Sequence, residues 1–358
     1  MKILIIALSG IGDALMFTPA VKFLKENMPD AQIDAMVMFG GVKDIYSRLP
    51  QIDNVFHHDF LEKSPLESLK FVLKLRGKYD MTFSVYPSNR KEYNIISRLT
   101  GAKKRAGVKY IRQDNGNLGF LNNIRVNESD SSHNVETNVK MVAAALGLNN
   151  PSEISPLQFP LSENELSFAE TFRVSSGISP EDLLIGFHPG CSTMKNHINR
   201  RWEPGKFVEL GKKLISQKNA KILIFGGPEE MELKSGIVDK ISSGNCIPVV
   251  TSNLAESAAV MKMCNLFITN DSSLMHVASA MQLKTIAIIG PTNTNYIKPW
   301  KTEHRIVSLN LDCSPCFFYS PKPLSCSRQD VQYKCVKELS PEMVYEEALR
   351  FMEEKERK

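Results

Sequence analysis

Residues 265–290 read as a strand, a tight polar turn, a helix and a second strand, and this unit restricts the chain to a small set of α/β folds. The apolar run 265–269 leads into Asn270-Asp271-Ser272-Ser273. A helical run follows at 274–281, then an apolar run at 285–289 that ends in Gly290-Pro291-Thr292. Two strands joined through a helix lie parallel and are buried on both faces. Ser272 and Ser273 fall where a helix start leaves backbone N–H groups unpaired, a place that suits small hydroxyl side chains. That end carries partial positive charge and attracts an anion such as a phosphate. His276 lies one turn further in, within reach of the same anion, and Asp271 can bind sugar hydroxyls. This half of the chain reads as a platform for a nucleotide.

The same alternation recurs elsewhere. Residues 3–8 form a buried parallel strand, Gly10 and Gly12 a turn, Asp13 a helix N-cap, and 14–27 a helix. Strands are expected at 33–38, 55–58 and 81–86, with helices at 65–78, 91–99 and 133–146. Residues 113–123 are Gly- and Asn-rich and read as a loop. Three prolines between 149 and 160 mark a linker. Beyond it come strands at 183–188, 221–225 and 247–250, and helices at 204–216 and 254–263. The tail from 341 to 358 is an amphipathic, highly charged helix. The fold class is therefore α/β, with two doubly wound domains spanning 1–160 and 161–340.

A length of 358 residues favours two domains. The hydrophobic share of 42% and charged share of 23% belong to a globular chain with sizeable cores. The net charge of +5 suggests an acidic partner without calling for nucleic acid. No apolar run is long enough to cross a membrane, and the apolar start is too short for a signal peptide. Seven cysteines, an odd number, do not make disulfides the default. Four of them, Cys313, Cys316, Cys326 and Cys335, have the spacing C-x₂-C-x₉-C-x₈-C. A knuckle with two further thiols can build a tetrahedral structural zinc site, and free thiols or labile disulfides are the other reading.

Four motifs occur in order. They are Leu8-Ser9-x-x-Gly12-Asp13; His188-Pro189-Gly190-x-Ser192 with Arg200-Arg201-Trp202; Gly226-Gly227-Pro228-x-Glu230; and Asn270-Asp271-Ser272-Ser273-x-x-His276 followed by Gly290-Pro291-Thr292. As a set they resemble glycosyltransferase family 9, the ADP-heptose:lipopolysaccharide heptosyltransferases. The resemblance implies the GT-B architecture. That is two Rossmann-like domains facing a cleft, the first for the acceptor and the second for the nucleotide sugar, with the helix 341–358 returning to the first. It also implies an inverting transfer of a heptose from a donor such as ADP-heptose to a lipopolysaccharide-core-type acceptor.

Sugar transfer needs a base for the acceptor hydroxyl and charge stabilisation for the departing diphosphate. Asp13, on a glycine-flanked turn after a strand, is the candidate base. Arg200 and Arg201 are candidates to neutralise the diphosphate, because guanidinium donors match phosphate oxygens. Ser192 and Thr193 offer hydroxyl and backbone donors, and Lys195 is the next cation available. Glu230 resembles the family's ribose-contacting acid. No Asp-x-Asp pair is present to seat a divalent metal, so no catalytic cofactor is expected. The basic cluster Lys103, Lys104, Arg105, Lys109 and Arg112, with Arg90 and Lys91 upstream and Gly12 at the turn, is the candidate acceptor contact. In the family that acceptor is a phosphorylated lipid-linked saccharide at the cytoplasmic face of the inner membrane, which implies a cytoplasmic, peripheral protein.

Two other functional classes remain open on the residues alone. A non-catalytic module could bind a sugar nucleotide or an acidic glycan, and a related GT-B epimerase would need further acid/base groups. A nicotinamide oxidoreductase is disfavoured, since Gly10-Ile11-Gly12 lacks a third glycine at Leu15 and no acid closes the second strand.

Overall fold

The computed structural model describes residues 1–318 and 323–354. They divide into two compact units. The first holds Met1–Pro160 with Asn295–Trp300, and the second holds the remaining described residues.

The first unit contains β1 (Lys2–Ala7), β2 (Gln32–Val37), β3 (Asn54–His57), β4 (Met81–Ser84), β5 (Lys104–Lys109) and β6 (Ile124–Asn127). All pairings are parallel, in the order β3-β2-β1-β4-β5-β6. Its helices are α1 (Ile11–Asn27), α2 (Gly40–Ser47), α3 (Pro65–Leu75), α4 (Lys91–Leu99) and α5 (Asn134–Leu146). The second unit contains α6 (Glu163–Ser175), β7 (Leu184–His188), α7 (Pro204–Lys218), β8 (Lys221–Ile224), α8 (Met231–Ile241) and β9 (Cys246–Pro248). It continues through α9 (Leu254–Met261), β10 (Leu266–Asn270), α10 (Ser273–Ala280) and β11 (Thr285–Ile288). The short α11 (Thr294–Ile297) opens the segment that belongs to the first unit. Then come β12 (His304–Val307), α12 (Lys334–Lys337) and α13 (Pro341–Glu353). The second sheet, also parallel, has the order β12-β11-β10-β7-β8-β9.

Both orders are the same Rossmann topology. The first strand of each half is central, and the chain winds to one side and then to the other. The order reverses between β1 and β4 in the first sheet and between β7 and β10 in the second, and ligands bind outside the carboxyl ends at such a point. Apart from the exposed Lys2 that starts β1, the central strands are buried along their length, as continuous apolar runs require.

Several elements differ from the sequence reading. Gly10, not Asp13, is the N-cap of α1, and Asp13 is its third residue. The stretch that begins at Lys103-Lys104-Arg105 is β5, whose strand nature is hidden because only Ala106, Gly107 and Val108 are buried. β6 and α6 were also not expected: each buries one residue, Val126 and Ala169. Residues 295–300 rejoin the first unit, where Trp300 Nε1 donates to Ser155 O (3.0 Å), His133 Nε2 bonds Lys298 O (2.8 Å) and Tyr296 bonds Asp130.

The C-terminal helix also departs from expectation. Instead of burying its face in the first unit, α13 sets Val344, Tyr345, Ala348 and Phe351 into the second unit's core beside Phe207, Leu214 and Leu339. It packs on α7 and β12. The spacing i, i+1, i+4, i+7 puts those four on one helical face. Lys284 and Arg305 lie over the Phe351 ring at 5.4 and 4.7 Å. Phe351→Ala should therefore lower the unfolding free energy by about 3–5 kcal/mol, read as a shifted urea midpoint. No shift would mean that α13 adds nothing to this core.

Candidate functional site

The second unit's polar residues gather at the carboxyl ends of β7 and β10. The register pairs His188 with Thr269, so the chain leaves both strands at nearly the same level. Asn270 locks the two exits. Its Nδ2 donates to Pro189 O (2.7 Å), and its Oδ1 accepts from Trp202 N–H (2.9 Å). The Trp202 ring is fully buried and donates to Leu339 O (2.8 Å). Arg200 and Arg201 thus sit next to an anchored position.

Arg201 and Glu230 share one network with His188. His188 Nδ1 is bonded to Ser272 Oγ (2.8 Å) and its Nε2 to Glu230 Oε2 (3.0 Å). Glu230 Oε1 accepts from Arg201 Nη2 (3.3 Å), which also donates to Cys191 O (2.7 Å). Gly227 N–H donates to Glu230 Oε2 (3.2 Å). Burial raises the Glu230 pKa. The hydrogen bond and charge of His188, the Gly227 amide and the Arg201 charge outweigh it and leave the carboxyl below its ordinary value. A Cβ on Gly190 would come 1.7 Å from Glu230 Oε1, so only glycine permits this approach. Arg201 Nε is buried without a hydrogen-bond partner among the described residues.

Arg200 and Asp271 form a second network. Asp271 Oδ2 accepts from Arg200 Nη1 and from Thr292 Oγ1, both at 2.5 Å. The guanidinium lies 5.2 Å from the Phe317 ring centroid. Phe317 N–H donates to Pro291 O (2.9 Å), which holds that ring against the Gly290-Pro291-Thr292 loop.

The other expected donor-side residues divide by exposure. Ser192 and Thr193 are exposed and Lys195 half-exposed, on a loop where Lys195 and Asn196 take positive φ of 52° and 62°. Lys195 O accepts from Leu324 N–H (3.0 Å), which ties this loop to the segment after residue 322. Ser273 starts α10, while Ser272 is its N-cap and spends its hydroxyl on His188 and Thr269. His276 is buried, and desolvation, opposed by the Asp271 charge, pushes its pKa down to about 4. It is neutral at physiological pH, so it would meet an anion with an N–H donor rather than with a positive charge.

In the first unit Asp13 is half-exposed in the first turn of α1, past the carboxyl end of β1, with Gly12 beside it. Three tyrosines lie within its electrostatic reach. Burial and then the Asp13 charge raise Tyr46. Tyr93 is pushed up to about 12 by burial and Asp13 against the lowering charge of Arg90. Tyr110 is raised by burial foremost, with Asp13 adding a little. Tyr93 donates to Leu8 O (2.8 Å), bracing the turn from below.

Lys103, Lys104 and Arg105 are not brought to this turn. Lys104 pairs in register with Met81, and Met81 with Ile3, so these cations stand at the amino ends of the strands. Asp13 follows the opposite ends, roughly 13 Å away along four residues of strand. Arg105 spends donors on Leu121 O (2.9 Å) and Ala102 O (2.7 Å). Among the basic side chains past the carboxyl ends of this sheet, Arg90 lies 5.8 Å from the Tyr93 ring centroid.

The zinc expectation is also not supported. Among the described residues no group of three or more His, Cys, Asp or Glu could hold a metal ion, and Cys313, Cys316, Cys326 and Cys335 are all free thiols. Two of the sulfurs accept local hydrogen bonds: Cys326 from Tyr333 N–H (3.3 Å) and Cys313 from Arg328 (3.7 Å). Burial, followed by the charges of the other three, pushes Cys335 up to about 11, so the protonated form prevails.

His188, Thr292 and Phe317 are parts of the networks to which the sequence reading gave no role. His188 carried a signal, a polar residue closing an apolar strand before Pro-Gly. Phe317 carried none, because its approach to Arg200 depends on a loop far along the chain.

The buried histidine gives the site a pH signature. Its folded pKa, near 4, lies below the unfolded value of about 6.5. As pH falls through that window the unfolded chain takes up a proton that the folded chain does not, so stability is lost. His276→Gln should make the fall in unfolding free energy between pH 7 and pH 5 smaller by roughly 2 kcal/mol, measured by denaturant titration at each pH. An unchanged pH slope would mean that His276 is not the buried neutral group.

Comparison with known proteins gives this geometry its chemical setting. The family model described as "Glycosyltransferase family 9 (heptosyltransferase)" matches residues 69–324. The lipooligosaccharide heptosyltransferase 2 of Campylobacter jejuni subsp. jejuni serotype O:2 is 27% identical, over 97% of this chain and 97% of its own. The solved Escherichia coli ADP-heptose LPS heptosyltransferase II superposes with a TM-score of 0.73, at 23% identity over 98% of each chain. An E. coli heptosyltransferase solved with ADP gives 0.70, at 17% identity over 98% of this chain and 100% of its own. The nicotinamide reading is thereby set aside. The two six-stranded parallel sheets are those of a GT-B protein, and the chain belongs to glycosyltransferase family 9, the heptosyltransferases.

Proposed function

We propose that this glycosyltransferase moves a heptose, with inversion, from ADP-heptose to a lipid-linked saccharide of the lipopolysaccharide-core type, without a catalytic metal. The observation that carries the reading is the placement of the candidate residues at the two switch points. A half-exposed carboxylate follows β1, and two arginines, each fixed by an acid, stand at the ends of β7 and β10. A first relative named a lipooligosaccharide heptosyltransferase and a fold neighbour named an ADP-heptose enzyme support the choice of sugar and nucleotide.

Asp13 takes the proton from the acceptor hydroxyl as its oxygen attacks the anomeric carbon. The bond from that carbon to the diphosphate oxygen breaks, and ADP leaves with the electron pair. The growing charge is met by Arg201, whose buried Nε has no hydrogen-bond partner among the described residues, by Arg200, and by the N–H groups that open α10. Fixed guanidinium donors and a helix N-terminus supply what a divalent cation supplies elsewhere. Ser192, Thr193 and Lys195, on their exposed loop, serve the donor from the β7 side. Glu230 keeps His188 and Arg201 in place and is itself the candidate ribose contact. Arg90, which stands over Tyr93 at the carboxyl edge, is a candidate contact for an acceptor phosphate. An enzyme with such an acceptor works at the cytoplasmic face of the inner membrane.

Asp13→Asn should lower ADP release in the presence of acceptor by a factor of about 100 or more, with ADP-heptose affinity within about threefold of the parent. Turnover by coupled assay and binding by calorimetry read the two separately. Unchanged turnover would remove Asp13 as the base. Binding without turnover in the parent protein, across core-type acceptors, would favour a module that holds sugar nucleotides without reacting them.

A further inference from the structure

The helix α3 is apolar on two opposite faces, and the core uses one of them. Val72 and Leu75 are buried in the first unit's core, with Phe71 packed against it. Leu66, Leu69 and Leu73 stand on the other side, exposed by 61%, 41% and 43%, and Leu61 in the preceding turn by 58%. The spacing 66, 69, 73 aligns three leucines in one stripe along a helix of 3.6 residues per turn. Folding of this unit gives no reason for them.

Charge along the same segment is one-sided. Between residues 61 and 78 the chain carries Lys63, Lys70, Lys74, Arg76 and Lys78 against Glu62 and Glu67. The Glu67 carboxylate is spent in a capping box with Ser64, and Asp59 just upstream caps the N–H groups of Leu61 and Glu62. Lys63, Lys70 and Lys74 make no ion pair among the described residues. At 100° per residue Lys70 and Lys74 border the leucine stripe along its length.

We propose that α3, with the turn before it, docks the first unit onto an anionic lipid surface. The leucines enter the boundary between headgroups and acyl chains, and the lysine stems lie along it with their ammonium groups on lipid phosphates. Position agrees with chemistry. The connection after β3 starts α3 at the carboxyl edge of the parallel first sheet, the edge that carries Asp13. A second copy of the chain is the poorer occupant, because an isologous contact would set Lys70 and Lys74 against their own counterparts. The proposal rests on the reading that the acceptor is lipid-linked.

The test is co-sedimentation of the full chain with vesicles of phosphatidylcholine alone or mixed with phosphatidylglycerol, at low salt. The parent should sediment with the mixed vesicles. Leu66→Gln/Leu69→Gln/Leu73→Gln and Lys70→Glu/Lys74→Glu should each lower the bound fraction by about fivefold or more. Their ADP release with a water-soluble acceptor fragment should equal the parent's. Variants that bind as the parent does, or a parent that ignores both vesicles, would overturn the docking surface. So would sedimentation velocity showing a parent dimer that the leucine variant turns into monomer. Loss of vesicle binding leaves the soluble-acceptor assay intact, so failure of this proposal and failure of the transfer reading are told apart.

Discussion

A parallel sheet whose strand order reverses once leaves two neighbouring strands whose outgoing connections part to opposite faces. The gap at their carboxyl ends is uncovered, and backbone groups there have no sheet partner. Both units of this protein have that reversal, between β1 and β4 and between β7 and β10. Polar chemistry concentrates at those exits because the rest of each central strand is buried between helices. In the second unit Asn270 turns the gap into a rigid part by holding Pro189 and Trp202 together, and Trp202 passes the constraint to Leu339, just before α13. The terminal helix thus supports this exit from behind.

The charges at that exit come in pairs for a physical reason. A guanidinium buried as Arg200 is cannot remain uncompensated, and Asp271 with Thr292 meets it. Glu230 does the same for Arg201 while holding His188. The acids fix the direction of the donors at the cost of part of their charge. A diphosphate seated there would find donors already oriented, the condition under which electrostatic stabilisation of a leaving group is most effective.

Much of this was legible in the sequence where hydrophobic period and function pointed the same way. The strand–turn–helix from Leu266 to Ala280 and the helix α4 were read close to their observed bounds, since apolar runs and turn residues agree there. β5 escaped because Lys104, Arg105 and Lys109 dominate a strand with three buried positions, and only the pairing of Lys104 with Met81 shows that the cluster's first residues stand at the amino ends of the strands. Asp13 was found by its glycine turn, but its place as third residue of α1 depends on where the helix opens, the least legible detail of any helix. The destination of α13 depended on which apolar surface its face would meet, and an amphipathic pattern does not name its partner. His276 was chosen for its place in the turn, and only its burial reveals that it is neutral.

The account turns on where the departing nucleotide sits. A crystal structure of the protein soaked with ADP in the presence of EDTA addresses that directly. The diphosphate oxygens should lie within hydrogen-bonding distance of Arg201 and of the N–H groups opening α10, with no metal between them. ADP seated away from the ends of β7 and β10, or bound only when a divalent cation is restored, would contradict it.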